Sequence, residues 1–376
     1  MGNNINQHIS GEKLGKRTYG IFDLVKSERN FLVLVFSMLL AVAILTPYTQ
    51  VAMWVGFAIA GYSAIANDSI QTIGTFIASN ANRKWYYLWV YMAIIFLATV
   101  TYSWLQFDGD VSHQRLASKG LSEPPTEFSF LQLAAPIFLL VLTRLRMPVS
   151  TTFLLLSTFT TDAKTITGIL GKSLTGYILA FVLAIIVWFL VGKFVKNKFK
   201  GKPAKWWIPL QWLTSGALWS VWIAQDAANI AVFLPRSLDV WEFVAFCTYI
   251  VIGLGFLFYF RGDRIQSIVS EKAGVTDLRA ATIIDFVYAI ILYYFKAVSN
   301  IPMSTTWVFI GLLGGRELAI ALSKKRAKRK IKSTKKAIRL LGRDVLFAFI
   351  GLAVSVILAL AINKEVREEV WAYFAG

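Results

Sequence analysis

The chain has 376 residues, 56% of them hydrophobic and only 16% charged, with a formal net charge of +18. Length alone would suggest two or three soluble domains, but an ordinary soluble domain is about 25% charged. Uncharged apolar runs recur here at the length that crosses about 30 Å of hydrocarbon, which excludes that reading.

Residues 1–30 are polar and mixed in charge, and a full-length apolar run follows at 31–48. That run reads as a retained span, not a cleaved leader. Further apolar segments lie at 51–79, 84–105, 129–146, 148–163, 168–191, 206–235, 240–260, 279–298, 302–320 and 344–362. Backbone groups in lipid must bond within their own segment, so each is predicted to be a helix. The expected fold is an all-α polytopic membrane protein with about 11 transmembrane segments. Two segments, 51–79 and 206–235, are too long for a simple span and carry polar residues in the middle. Two others, 148–163 and 302–320, begin with Pro-x-Ser-Thr-Thr. The single cysteine, Cys247, lies in an apolar run and reads as a packing residue, with no disulfide framework.

The basic residues sit in short loops, which fits the positive-inside bias and attraction to anionic lipid, and not nucleic-acid binding. The linker 192–205 holds Lys193, Lys196, Lys198, Lys200, Lys202 and Lys205 without an acid, and 321–343 holds eleven Lys or Arg before Asp344. Both are expected on the cytoplasmic side, the second as a membrane-surface helix or loop. The loop 106–128 sets Asp108, Asp110, Glu123 and Glu127 against Arg115 and Lys119 and is expected outside. The N-terminus then falls in the cytoplasm and the C-terminus outside, in what reads as a bacterial inner membrane.

Two motifs recur. Ala66-Asn67-Asp68-Ser69-Ile70-Gln71 is matched by Ala224-Gln225-Asp226-Ala227-Ala228-Asn229, with Asn and Gln exchanged around a fixed Asp. MPVSTT at 147–152 is matched by IPMSTT at 301–306. The Asp residues are 158 apart and Ser150 and Ser304 are 154 apart, so the motifs repeat in one order at one spacing. The expected organisation is a polar segment and extra span (1–50), repeat 1 (51–191), a basic linker (192–205), repeat 2 (206–362) and a C-terminal tail (363–376). Five spans in each repeat invert the second copy, with broken or half helices at the midplane.

An ionisable residue inside a span costs at least about 2.5–3.5 kcal/mol and marks a functional site by default. Asp68 and Asp226 each have an amide beside them (Asn67, Gln225) and another one turn on (Gln71, Asn229). Such hard oxygens suit Na⁺ or a proton, against the bland alternative of bonding to a neighbouring helix. Pro148 and Pro302 suit a first helical turn, so each Ser-Thr-Thr run offers hydroxyls and backbone N–H groups at a helix start. Ser150, Thr151, Thr152, Ser304, Thr305 and Thr306 would hold a tetrahedral anion from two sides. The bland alternative is that they only cap helices.

These motif pairs resemble the inorganic phosphate transporter (PiT) family, which includes sulfate permeases. Its signature is Gly-Ala-Asn-Asp-x-x-Asn-Ala-x-Gly-Thr in each half with Pro-x-Ser-Thr-Thr-His further on. The resemblance spans nearly the whole chain. It implies a secondary transporter importing inorganic phosphate or, alternatively, sulfate. The carboxylates would take the coupling ion, Na⁺ or H⁺, the hydroxyl runs the anion, and the protein would form a homodimer in the lipid bilayer. The chain departs from the signature at Gln71, Gln225, Phe153 and Trp307, and no glycine follows Asn229 at the family's spacing.

Flanking charges read as follows. Arg144 and Arg146 would snorkel at a helix end, Lys296 at the outer end of its span would snorkel or, alternatively, attract an anion, and Arg316 and Glu317 would pair with each other. No enzyme signature survives: Gly168-Ile-Leu-Gly-Lys-Ser173 lacks the first glycine of a phosphate loop, because position 166 is Ile166. An anion channel and a non-transporting sensor remain the rival readings, and no cofactor is expected beyond the coupling ion.

Overall fold

The computed structural model describes residues 28–67, 72–145, 147, 149–160, 163–198, 201–260, 277–298, 304–323 and 327–375. Among them no strand occurs, and every segment expected to span carries a helix. In chain order these are α1 (Arg29–Leu45), α2 (Thr49–Asn67), α3 (Gly74–Ser79), α4 (Trp85–Gln106), α5 (Phe130–Arg144), α6 (Thr151–Leu156) and α7 (Ala163–Lys198). The second part of the chain supplies α8 (Trp207–Ala231), α9 (Val240–Tyr259), α10 (Leu278–Val298), α11 (Thr305–Leu322), α12 (Ala327–Ile362) and α13 (Lys364–Ala375).

Seven of these, α2, α4, α7, α9, α10, α11 and α12, contain stretches long and apolar enough to cross a membrane, and α1 and α5 are shorter apolar helices. Only 22% of the α9 window is buried inside the protein. Phe36, Ile94, Leu105, Ile186, Phe256 and Ile357 are all exposed. Apolar surface on this scale is untenable in water and matches hydrocarbon. The chain is an integral membrane protein.

Local sequence sets where the helices begin. Ser129 and Gln132 form a reciprocal capping box at the start of α5, and Asp239 and Glu242 form another at α9. Two expectations about the basic segments change. The linker expected at 192–205 is helical up to Lys198, as a continuation of α7, since Lys is compatible with helix and no Gly or Pro follows Gly192 before Lys198. The basic stretch from Ala327 is not a separate surface element, because it runs without interruption into the last apolar segment as α12.

Helices α7 and α11 make the most extensive pairing, and α8 with α10 the next. Gly311 and Gly315 allow the first: a Cβ on either would overlap the backbone of Tyr177 or Phe181 on α7. Small residues four apart that let helix backbones touch are a recurrent device in membranes. Other pairings are α2 with α5, α4 with both α8 and α9, and α6 with α12. Ser63 of α2 donates to the carbonyl of Pro136 in α5 at 2.8 Å. This arrangement brings the starts of α6 and α11 against the C-terminal part of α8, where the second acidic motif lies.

Candidate functional site

Helix α8 passes through 224–229 unbroken, and Asp226 is buried on it. Its Oδ1 accepts hydrogen bonds from Thr152 Oγ1 at 3.1 Å and Asn229 Nδ2 at 2.9 Å. Its Oδ2 accepts from Thr305 Oγ1 at 2.7 Å. One carboxylate is therefore held by a threonine from each Ser-Thr-Thr run.

Both runs start helices, as the sequence predicts. Ser150 caps α6 by accepting from Phe153 N at 3.0 Å, and Ser304 caps α11 by accepting from Trp307 N at 3.2 Å. The capping alternative thus describes the two serines, while the threonines turn to other partners. Thr306 Oγ1 donates to Val149 O at 3.1 Å, which ties the second run to the first. Thr151 Oγ1 accepts from Asn67 Nδ2 at 3.2 Å, and Asn67 Oδ1 accepts from Thr143 Oγ1 at 3.1 Å. Ser304 N donates to Ser173 Oγ at 2.9 Å. Ser173 closes the apparent phosphate loop of the sequence, which lies wholly inside α7 and instead anchors α11.

The residues assigned by sequence to an ion site and an anion site thus form one cluster: Asp226, Asn229, Thr152 and Thr305, with Asn67 and Thr151 beside it. Gln225 departs from it on one side, donating from Nε2 to Leu292 O of α10 at 2.8 Å. Asp68 and Gln71 lie outside the described residues, as do Arg146, Pro148 and Pro302. Phe153 and Trp307 are both buried, so a ring packs where the resembling family carries an imidazole.

Two carbonyl oxygens at the cluster, Gln225 Oε1 and Asn229 Oδ1, are buried without a hydrogen-bond partner. These residues are four apart on α8 and share a face. An acceptor buried with no donor is costly unless a cation or donor arrives. With the Asp226 carboxylate, this stretch of α8 carries several hard oxygens, the donor type that hard cations take.

Flanking charges resolve differently. Arg316 pairs with Glu317 at 2.6 Å as expected. Arg144 does more than snorkel: it pairs with Glu28 at 2.5 Å and lies over the ring of Phe31. Lys296 is half-buried.

Sequence reasoning passed over Asp285. It is fully buried on α10 and accepts from Thr75 Oγ1 at 2.6 Å and Ser215 Oγ at 2.5 Å. The signal was present, because Asp285 interrupts the apolar run 279–298, but it has no counterpart in the first half to draw attention to it.

No family model and no curated protein matches the sequence. The fold does match a solved structure, "The sodium-dependent phosphate transporter", at 19% identity and a TM-score of 0.52. The match covers 83% of this chain and 99% of that one. The two share an architecture.

Proposed function

We propose that this protein is a secondary transporter that imports inorganic phosphate together with Na⁺ or H⁺, with sulfate as the alternative anion. The observation that carries the reading is the grip of Thr152 and Thr305 on Asp226. The likeness to a fold whose solved example is a sodium-dependent phosphate transporter supports it.

The geometry suggests how the two substrates would be coupled. With Asp226 ionised, both hydroxyls donate to it. A cation seated on Asp226, Gln225 Oε1 and Asn229 Oδ1, or a proton on Asp226, removes much of that demand. Thr152 and Thr305 are then free to rotate and donate to an oxyanion. Charged acceptors hold hydroxyls more strongly than neutral ones, so neutralising Asp226 is what makes the donors available. Sulfate needs donors only, whereas phosphate in its protonated form also needs an acceptor for its O–H, which Asp226 could supply.

The two-repeat reading draws support from the packing. Exchanging the halves maps α2 with α5 onto α8 with α10, and α4 with α8 onto α9 with α2. It also maps α7 with α11 onto α12 with α6. Repeats related in this way rock against one another around a fixed site, which is the usual basis of alternating access.

The test is uptake of radiolabelled phosphate into proteoliposomes, with and without an inward Na⁺ gradient, at two pH values and with excess unlabelled sulfate. Gradient-dependent uptake should appear and fall roughly a hundredfold in Asp226→Asn, the upper end of coupling between two ligands. Competition by sulfate would move the substrate to sulfate. Flux indifferent to any second ion would make the protein a channel, and binding without flux a sensor.

A further inference from the structure

Arg115 lies in the segment between α4 and α5, yet only 4% of it is exposed. Its Nε and Nη2 are buried and have no hydrogen-bond partner. A guanidinium offers five donors and stays charged, so leaving it unpaired away from water is unfavourable. Arg236, from the α8–α9 connection, shows what a structural arginine looks like here. Its Nε donates to Leu121 O at 2.7 Å, its Nη1 to Leu234 O at 2.7 Å and its Nη2 to Glu123 O at 3.0 Å. Arg236 ties the loop to the end of α8. Nε and Nη2 of Arg115 make no such tie.

Among the described residues, the carboxylate whose charge reaches Arg115 is Asp226. Two half-buried cations, Lys172 and Lys296, also act on the same guanidinium. Like charges gathered around a buried site repel unless an anion joins them. Burial pulls Arg115 down from its usual value to about 10, opposed by the charge of Asp226, so it is charged at neutral pH. The backbone is held to put it there. His113 and Gln114 adopt positive φ of 55° and 60° immediately before it, and Asp110 fixes them by accepting from Ser112 N and Gln114 N at 2.6 Å each. Non-glycine residues persist in that region only when their surroundings hold them.

We propose that Arg115 is an anion-binding residue of the Asp226 site, supplying a fork of donors to a tetrahedral oxyanion, with Lys172 and Lys296 as flanking charges. The assignment rests on reading that site as an oxyanion transporter. An arginine fork matches two oxygens of such an anion, which lysine as a point charge does not. The coupling cation and the anion would then meet at Asp226 from opposite partners: amide oxygens for one, hydroxyls and Arg115 for the other.

The test uses the full-length protein in two assays, equilibrium binding of radiolabelled phosphate and sulfate in detergent, and uptake into proteoliposomes. Arg115→Gln should raise the dissociation constant and KM for the anion about tenfold or more, leave half-saturation by Na⁺ unchanged, and not lower the melting temperature. Arg236→Gln should lower the melting temperature and leave KM unchanged. Arg115→Gln with the wild-type KM, or with a lower melting temperature and unchanged anion affinity, would overturn the proposal. If Arg115→Gln does not fold, Arg115→Lys asks the same question. A raised KM with the charge retained supports the fork, and an unchanged KM overturns it. Anion binding that is lost in Arg115→Gln, in a protein showing no uptake, would sink the transport reading and keep this one. Normal uptake in Arg115→Gln would do the reverse, and a wild-type protein that binds neither anion would sink both.

Discussion

Asp226 and Asp285 are both buried carboxylates, on the paired helices α8 and α10, and their surroundings are built to different ends. Around Asp285 every polar atom finds a mate. Thr75 and Ser215 donate to it, Ser215 accepts from Gln211 Nε2 at 2.8 Å, and Gln211 Oε1 accepts from Asn80 Nδ2 at 2.9 Å. The chain ends where Trp212 Nε1 donates to Asn80 Oδ1 at 3.1 Å. Around Asp226 the bonding is incomplete: Gln225 Oε1 and Asn229 Oδ1 lack donors, while Arg115 Nε and Nη2 lack acceptors. The contrast separates a polar joint from a site. A buried charge by itself marks neither, whereas leftover acceptors and donors around it mark the place where a ligand completes the set.

The sharpest way to break this comparison is to remove Asp285. Asp285→Ala deletes two charge-assisted bonds and strands the hydroxyls of Thr75 and Ser215. Denaturation in detergent should show a loss of about 3 kcal/mol, at hydrogen-bond values for charged groups. The protein that remains folded should keep its anion KM. A raised KM would make Asp285 part of the transport site and end the distinction.

A smaller effect of the opposite kind is expected at Asn229. Asn229→Ala removes one donor to Asp226 and one of the two unpartnered oxygens. Half-saturation by Na⁺ should shift upward by about tenfold, worth about 1.4 kcal/mol. The melting temperature should change little, because the Nδ2 bonds to Asp226 and Thr152 are lost together with an orphan acceptor. A protein that melts earlier but keeps its Na⁺ response would show that Asn229 only fixes Asp226 in place.

The sequence exposed the helices because lipid allows little else, and it exposed Asp226 because charge in an apolar run is conspicuous. The partnership of Asp226 with Thr152 and Thr305 was not legible. Those residues are 74 and 79 positions away, and only the docking of α6 and α11 on α8 joins them. The two acidic motifs also looked interchangeable, yet the described residues that follow them differ. The second continues a helix through Ala224, Ala227, Ala228 and Ala231, the residue with the highest helix propensity. After the first, α3 begins at Gly74 with Ile73 as its N-cap residue. Arg115 read as an ordinary loop charge because burial of a loop residue depends on what the loop folds onto, here the end of α8 through Arg236 and a bond from Leu238 N to Gly109 O at 3.0 Å.

The same loop yields the smallest of these expectations and the one that tests how firmly Arg115 is placed. His113 is partly buried, and its Nε2 has no partner. Burial, then the charges of Lys296 and Arg115, lower its pKa from 6.5 to about 4. Above pH 6.5 the imidazole is neutral in folded and unfolded chains alike, and its packing contributes in full. Between pH 6.5 and 4 the unfolded chain takes up a proton that the folded chain refuses, so stability falls as the pH falls. After a discount for partial exposure the loss is about 1 kcal/mol at pH 5. Melting curves at pH 7 and pH 5 should therefore differ more for the wild type than for His113→Gln, which cannot titrate. If the two differ equally, His113 is not held against those cations, and the backbone that presents Arg115 to Asp226 is looser than its hydrogen bonds to Asp110 imply.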